Sequence, residues 1–195
     1  QGGFLLSSSE DERFQKRLNN AMFPGVCSSY HLHHVAGKVM ALSEFQEYGA
    51  AYAKDTVRNA KAFAGALAAE GFDVLAESRG YTASHQVLTR HGTTDSGAGT
   101  KAAQLLEDGG IVTNMNMLPG DTKALTPSGL RLGVQELTRV GFTPDEMQDV
   151  ARFYARILIH GEDPSKVRVD VKELKSEFQT IRYCFNEEGR SGYPL

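Results

Sequence analysis

Leu130-Arg131-Leu132-Gly133-Val134, inside the longer run Pro127-Ser128-Gly129-Leu130-Arg131-Leu132-Gly133-Val134-Gln135-Glu136-Leu137-Thr138-Arg139-Val140-Gly141-Phe142, decides how this chain is read. Leu130, Leu132 and Val134 alternate with a period of two, the mark of a strand with one buried face. The alternation sends Arg131 to the other face, beside Gly133, which has no side chain to block access. A guanidinium there carries a permanent charge and a fixed fork of donors, suited to gripping a carboxylate through two parallel bonds. Taken by itself, an arginine on a strand's polar face more often meets solvent or a surface acid.

Composition sets the outer bounds. The chain has 195 residues, 41% of them hydrophobic, with a formal net charge of -3. That supports the packed core of one domain, or of one domain and a fragment. The mild acidity gives no reason to expect a nucleic-acid partner. No apolar run approaches the length that spans a bilayer, and no signal peptide is read. Cys27 and Cys184 are too few and too far apart for a disulfide framework. A reduced, cytoplasmic protein is the expectation.

Outward from the strand, local signals divide the chain. Gly2-Gly3-Phe4-Leu5-Leu6 reads as a strand, and Ser9 with Glu12 as a capping box opening a helix to about Ala21. Pro24-Gly25 is a turn, and a helix is predicted over 32–42. A long helix over 44–70 is predicted next, capped by Ser43 and stopped by Gly71; at 1.5 Å per residue it reaches about 40 Å. Short strands are expected over 72–77, 85–90 and 111–113, and a helix over 99–108. Thr143-Pro144-Asp145-Glu146 is a strong helix start, with Met147, Val150, Ala151, Tyr154, Ile157 and Leu158 as its apolar face. A last helix is predicted over 164–178, and 187–194 has loop composition.

Several of these stretches together resemble the serine hydroxymethyltransferase family. Ser128-Gly129-Leu130-Arg131-Leu132-Gly133, followed by Leu137-Thr138-Arg139-Val140-Gly141-Phe142, is similar to its C-terminal signature. Gln1-Gly2-Gly3-Phe4-Leu5-Leu6-Ser7 looks like the strand after the family's pyridoxal phosphate (PLP) lysine, and Ala21-Met22-Phe23-Pro24-Gly25 like its Val-Phe-Pro-Gly turn. The runs His34 to Leu42 and Gly110 to Asn116 resemble the helix after that turn and the Ile-Thr-Val-Asn-Lys-Asn segment. Five separated blocks in one order are far more specific than any one of them.

The resemblance implies an α/β fold: the C-terminal half of a PLP-dependent fold-type-I transferase. Residues 1–43 would end the large domain, 44–70 would be a connecting helix, and 71–195 would form a small α/β domain with a short sheet. The Schiff-base lysine and the rest of the large domain would precede residue 1, so no catalytic residue is assigned within the chain. The implied chemistry is making or breaking the Cα–Cβ bond of a β-hydroxy-amino acid such as serine or threonine, through a glycine carbanion delocalised as a quinonoid. Arg131 would hold the substrate carboxylate.

Ser28 and Ser29 fall on the family's Gly-Gly pair, whose N–H groups reach the PLP phosphate of the partner subunit. That implies at least a homodimer. Serine keeps the N–H, and phosphate binding before a helix remains physically reasonable; an ordinary N-cap is the plainer alternative.

Ser84 falls on the asparagine that contacts the folate pterin in the family, and His85 on the adjacent histidine. A hydroxyl cannot match an amide's paired donor and acceptor, which leaves tetrahydrofolate in doubt. His85 by itself reads as a partly buried histidine at a strand start. Asn114 and Asn116 either line the active site or shape the turn before Pro119-Gly120.

His31, His33 and His34 have no carboxylate or cysteine at a matching ligand offset, so no metal is expected. Thr82-Ala83-Ser84-His85-Gln86-Val87 and Gly129 to Gln135 look closer to the threonine transaldolase branch. The alternative to an enzyme is a non-catalytic homologue that only pairs with a complete one.

Overall fold

The computed structural model describes residues 2–29 and 31–185, so the loop predicted over 187–194 lies outside the described residues. The chain divides into two compact units, residues 1–47 and 48–195.

The first unit contains α1 (Glu12–Asn20), a turn over Ala21–Val26 with a cis Phe23–Pro24 bond, and the opening of α2 (Leu32–Ala69). None of its described residues is buried. Leu32, Val35, Val39 and Leu42 are 71%, 40%, 58% and 53% exposed, so this unit has no hydrophobic core among the described residues.

Two expectations fail here. Gly2 to Leu6 is not a strand: among the described residues no second strand offers it a ladder. The predicted Ser9 box does not form either: the Asp11 carboxylate accepts from Arg13 N at 2.8 Å and caps α1, while Ser9 Oγ accepts from Asp11 N at 3.3 Å.

The two helices predicted over 32–42 and 44–70 are one. Ser43 carries a capping signal, but no glycine or proline beside it breaks the ladder, and extending a helix costs far less than starting another. The stop at Gly71 is as expected: its φ is +96°, Phe72 N bonds Leu67 O at 3.0 Å, and Gly71 N bonds Ala68 O at 3.0 Å, which is a Schellman motif.

The second unit holds a four-stranded antiparallel sheet made of β1 (Asp73–Val74), β2 (Gln86–Arg90), β3 (Asn114–Asn116) and β4 (Gly129–Gly133), in the order β1-β2-β4-β3. β1 is shorter than predicted because Phe72 N is spent on capping α2 and Ala76 turns left-handed at φ +64°. β3 starts three residues later than predicted. Ile111 N bonds Leu106 O at 2.8 Å, so Ile111 closes α3 (Ala98–Asp108) instead of pairing.

One face of the sheet is the core. Val74, Val87, Leu130 and Leu132 cluster with Ala60, Phe63 and Leu67 of α2, with Ala102 and Leu106 of α3, and with α5 (Pro144–Leu158) and α6 (Pro164–Glu177). Met147, Val150, Ala151, Tyr154 and Ile157 are buried as the apolar spacing requires. Each fully buried Leu or Met contributes about 1.5–3 kcal/mol. The predicted box at Thr143 forms: Thr143 N donates to Glu146 Oε2 at 2.7 Å, and Asp145 N to Thr143 Oγ1 at 3.4 Å. A short helix the sequence reading missed, α4 (Gln135–Arg139), follows β4.

Candidate functional site

The outer face of the sheet is built by the strand alternation. Leu130 and Leu132 are 0% and 3% exposed, and Arg131 between them is exposed. In the ladder Arg131 is opposite Leu88 on β2 and Asn114 on β3, so these three residues form one lateral row. Gly129 and Gly133 flank it along β4.

Both glycines matter sterically. A Cβ on Gly129 would run into the Leu118 side chain, and one on Gly133 would come within 2.6 Å of Gln135 Oε1. The space beside Gly133 is therefore not empty, as the sequence reading had it; the Gln135 amide occupies it. Along this face of β4, Leu118 therefore covers Gly129 and the Gln135 amide covers Gly133, the residues two before and two after Arg131.

Arg131 has no ion-pair partner among the described residues, whereas Arg90 on the same face pairs with Asp73 at 3.5 Å. An exposed guanidinium with no acid beside it can take an incoming carboxylate without first breaking an internal bond.

Asn114 and Asn116 are not in the turn: they begin and end β3. Asn114 neighbours Arg131 in the ladder, while Asn116 Nδ2 is engaged by the Met117 carbonyl at 2.7 Å.

Ser84 and His85 stand at the Gly133–Val134 end of the same sheet, and both are exposed. His85 is thus not the partly buried residue expected. β2 begins one residue later, and the one hydrogen bond seen at His85 is its carbonyl accepting from Val134 N at 3.2 Å. The Ser84 hydroxyl accepts from Gln86 N at 3.2 Å and lies 3.3 Å from Thr82 Oγ1.

Ser28 and Ser29 belong to the first unit. Both are exposed, and no hydrogen bond among the described residues engages either one. α2 begins at Leu32, so neither is its N-cap. Free N–H and O–H donors are what a phosphate requires, so the residues present fit that group. His31, His33 and His34 place their ring centroids 4.2–5.5 Å apart. No set of three or more His, Cys, Asp or Glu among the described residues is arranged to hold a metal.

Two features on this face escaped the sequence. One is the Gln135 amide over Gly133. The other is a pair of carboxylates behind the lead-in to β4. Asp121 lies well below the usual carboxylate range because it accepts from the N–H groups of Leu118, Asp95 and Ser128. Asp95 is lowered by the Thr122 hydroxyl and by the N–H groups of Lys123 and Thr122. The one signal that could have found them is an aspartate two residues after Pro119, in turn chemistry.

The fold has solved counterparts. The crystal structure of L-threonine transaldolase from Pseudomonas fluorescens in its internal aldimine state matches with a TM-score of 0.82 and 29% identity, over 92% of this chain and 40% of that one. The fold class is therefore that of the fold-type-I PLP enzymes, of which this chain carries a portion.

The serine hydroxymethyltransferase family model matches residues 7–154, and the chain belongs to that family. It is 52% identical over 190 residues to the serine hydroxymethyltransferase of Pyrococcus horikoshii, covering 95% of this chain and 44% of that protein. It is 50% identical over 199 residues to that of Thermococcus kodakarensis, covering 100% and 45%. The chain thus spans less than half the length of these curated relatives.

Proposed function

We propose that this chain is the C-terminal part of a PLP-dependent enzyme that makes or breaks the Cα–Cβ bond of a β-hydroxy-amino acid, with Arg131 as the carboxylate anchor. The observation that carries this reading is an exposed, acid-free guanidinium in a row with Asn114, on a face whose other side is the core. PLP, when bound, supplies the electron sink for the carbanion left at Cα. The residues of this chain supply orientation. A two-point grip on the carboxylate would fix how the substrate is turned about Cα, and so which bond at Cα is presented for cleavage.

Ser28 and Ser29 would hold the cofactor phosphate of a neighbouring subunit through N–H groups, which makes the active unit at least a dimer. Ser84 and His85 would line the substrate side. The Ser84 hydroxyl already serves Gln86 N and lies beside Thr82, so it offers a pterin less than a free amide does. That supports a folate-independent aldolase or transaldolase over folate-linked serine–glycine exchange. Residues 1–43 would complete the large domain, consistent with a first unit that lacks its own core; 44–70 would connect; 71–195 would be the small domain.

Coverage of less than half of each relative keeps one rival in play: a non-catalytic chain that pairs with a complete enzyme. The test is glycine formation from serine and from threonine, by this chain assembled with the remaining part of the family's length, with and without PLP. PLP-dependent glycine formation supports the enzyme reading. A soluble assembly that binds PLP but forms no glycine from either substrate supports the non-catalytic one.

A further inference from the structure

Ser128 is completely buried, and it lies three residues before Arg131. Its N–H and its hydroxyl both donate to Asp121 Oδ2, at 2.9 and 2.8 Å, and its carbonyl accepts from His91 N at 2.9 Å. Leu118 N donates to the same Oδ2 at 3.0 Å, and Leu118 is the residue whose side chain covers Gly129. Asp121 Oδ1 accepts from Asp95 N at 2.9 Å.

The arrangement is reciprocal. Asp95 accepts from Thr122 N at 2.8 Å, Thr122 Oγ1 at 2.7 Å and Lys123 N at 2.9 Å. Each aspartate therefore holds the loop that carries the other. From the same side, Gly97 N and Gly99 N bond the carbonyls of Thr126 and Pro127, both at 3.1 Å, and Gly99 packs directly on the Gly129 backbone. Nothing in the proposed chemistry uses Asp121 directly.

We propose that Asp121 is a positioning residue for Arg131: by fixing Ser128 and Leu118 it sets the register and height of the strand from which the guanidinium reaches the substrate carboxylate. This inference rests on the reading of Arg131 as carboxylate anchor. Asp121→Asn keeps the shape but replaces an acceptor oxygen with an NH2 that confronts N–H donors. Whichever way the amide turns, its NH2 meets either Asp95 N–H or the donors of Ser128 and Leu118, so the loop that holds the lead-in to β4 shifts, and a shift of about 1 Å can cost as much as a hundredfold.

The test measures kcat and KM for the amino-acid substrate in the assembled enzyme, with Asp121→Asn, Ser128→Ala, Arg131→Ala and the double variant Asp121→Asn/Arg131→Ala. Asp121→Asn is expected to raise KM about tenfold or more and to lower kcat as the carboxylate grip loosens. Ser128→Ala, which removes one bond, is expected to raise KM about two- to fivefold. The double variant should bind no worse than Arg131→Ala alone, within about twofold, because both act through one contact.

Unchanged KM in Asp121→Asn with a lowered melting temperature would overturn the proposal and leave a purely structural residue. So would losses that multiply in the double variant. If Asp121→Asn does not fold, Ser128→Ala decides: an unchanged KM there overturns the proposal. Arg131→Ala with wild-type KM would sink the carboxylate reading itself, and this inference with it.

Discussion

Asn59, fully buried on α2, donates its side-chain amide to both Thr138 Oγ1 at 3.0 Å and the Phe142 carbonyl at 2.8 Å. Thr138 in turn donates its hydroxyl to Val134 O at 2.8 Å. One amide therefore ties the long helix to the last turn of the short helix that follows β4 and to the chain just beyond it. Asn59→Ala strands the Phe142 carbonyl and leaves a void, which is expected to cost about 2–3 kcal/mol. A melting temperature within about 1 °C of the parent would contradict this.

His91 is an acid-sensitive point in the second unit. Burial lowers its pKa from 6.5 to about 4, against an opposing pull from Asp73. Its Nε2 lies 2.9 Å from Thr89 Oγ1, and its ring centroid is 5.9 Å from that of Phe72. The unfolded chain takes up this proton first, so the folded state loses stability as pH falls. The contribution is whole above 6.5, declines through the window, and is gone below about 4. Full loss is on the order of 3 kcal/mol. Urea unfolding from pH 7 to 4 should show that decline, and His91→Gln should flatten it. An identical pH slope in the variant would refute the assignment.

Arg156 joins α5 to the loop just before α6 and to the middle of α6. It bonds Glu162 through two nitrogens, both at 2.8 Å, and Asp170 at 2.6 Å. The groups are part-exposed, so screening limits their worth. Arg156→Met is expected to cost about 1–2 kcal/mol, less in molar salt. A salt-independent loss would point to packing of the arginine stem instead.

Much of this was legible in the residues. The alternation of Leu130 and Leu132 placed Arg131 on the open face, and Thr143 with Glu146 marked the start of α5 to the residue. Those signals are local and agree with the packing around them. What escaped was decided by competition or by distance. Ser43 carried a cap signal inside a helix that had no reason to stop, and Ile111 was drawn into closing α3. Asp95 and Asp121 are 26 residues apart, and no local pattern announces that each holds the other's loop. The Gln135 amide over Gly133 depends on a tight turn into α4 that the strand reading did not extend to.

Folate separates the two branches of the proposed chemistry. Each unpaired polar group in a closed pterin site costs about 1–3 kcal/mol. The assembled enzyme is therefore expected to release glycine from threonine without tetrahydrofolate, and to gain little on serine when it is added. A large folate-dependent rate on serine would restore the hydroxymethyltransferase reading for this chain.

The most direct test of the central claim is the dissociation constant of glycine for the assembled enzyme carrying Arg131→Ala or Arg131→Lys. Glycine needs no bond cleavage and no folate, so its affinity reports the carboxylate grip alone. Losing a hydrogen-bonded charge pair costs about 2–5 kcal/mol, so Arg131→Ala should bind glycine about thirtyfold or more weakly. Arg131→Lys should recover little, because an ammonium cannot reproduce the fork. Glycine affinity within about threefold of the parent in Arg131→Ala, in a protein of unchanged melting temperature, would contradict the account.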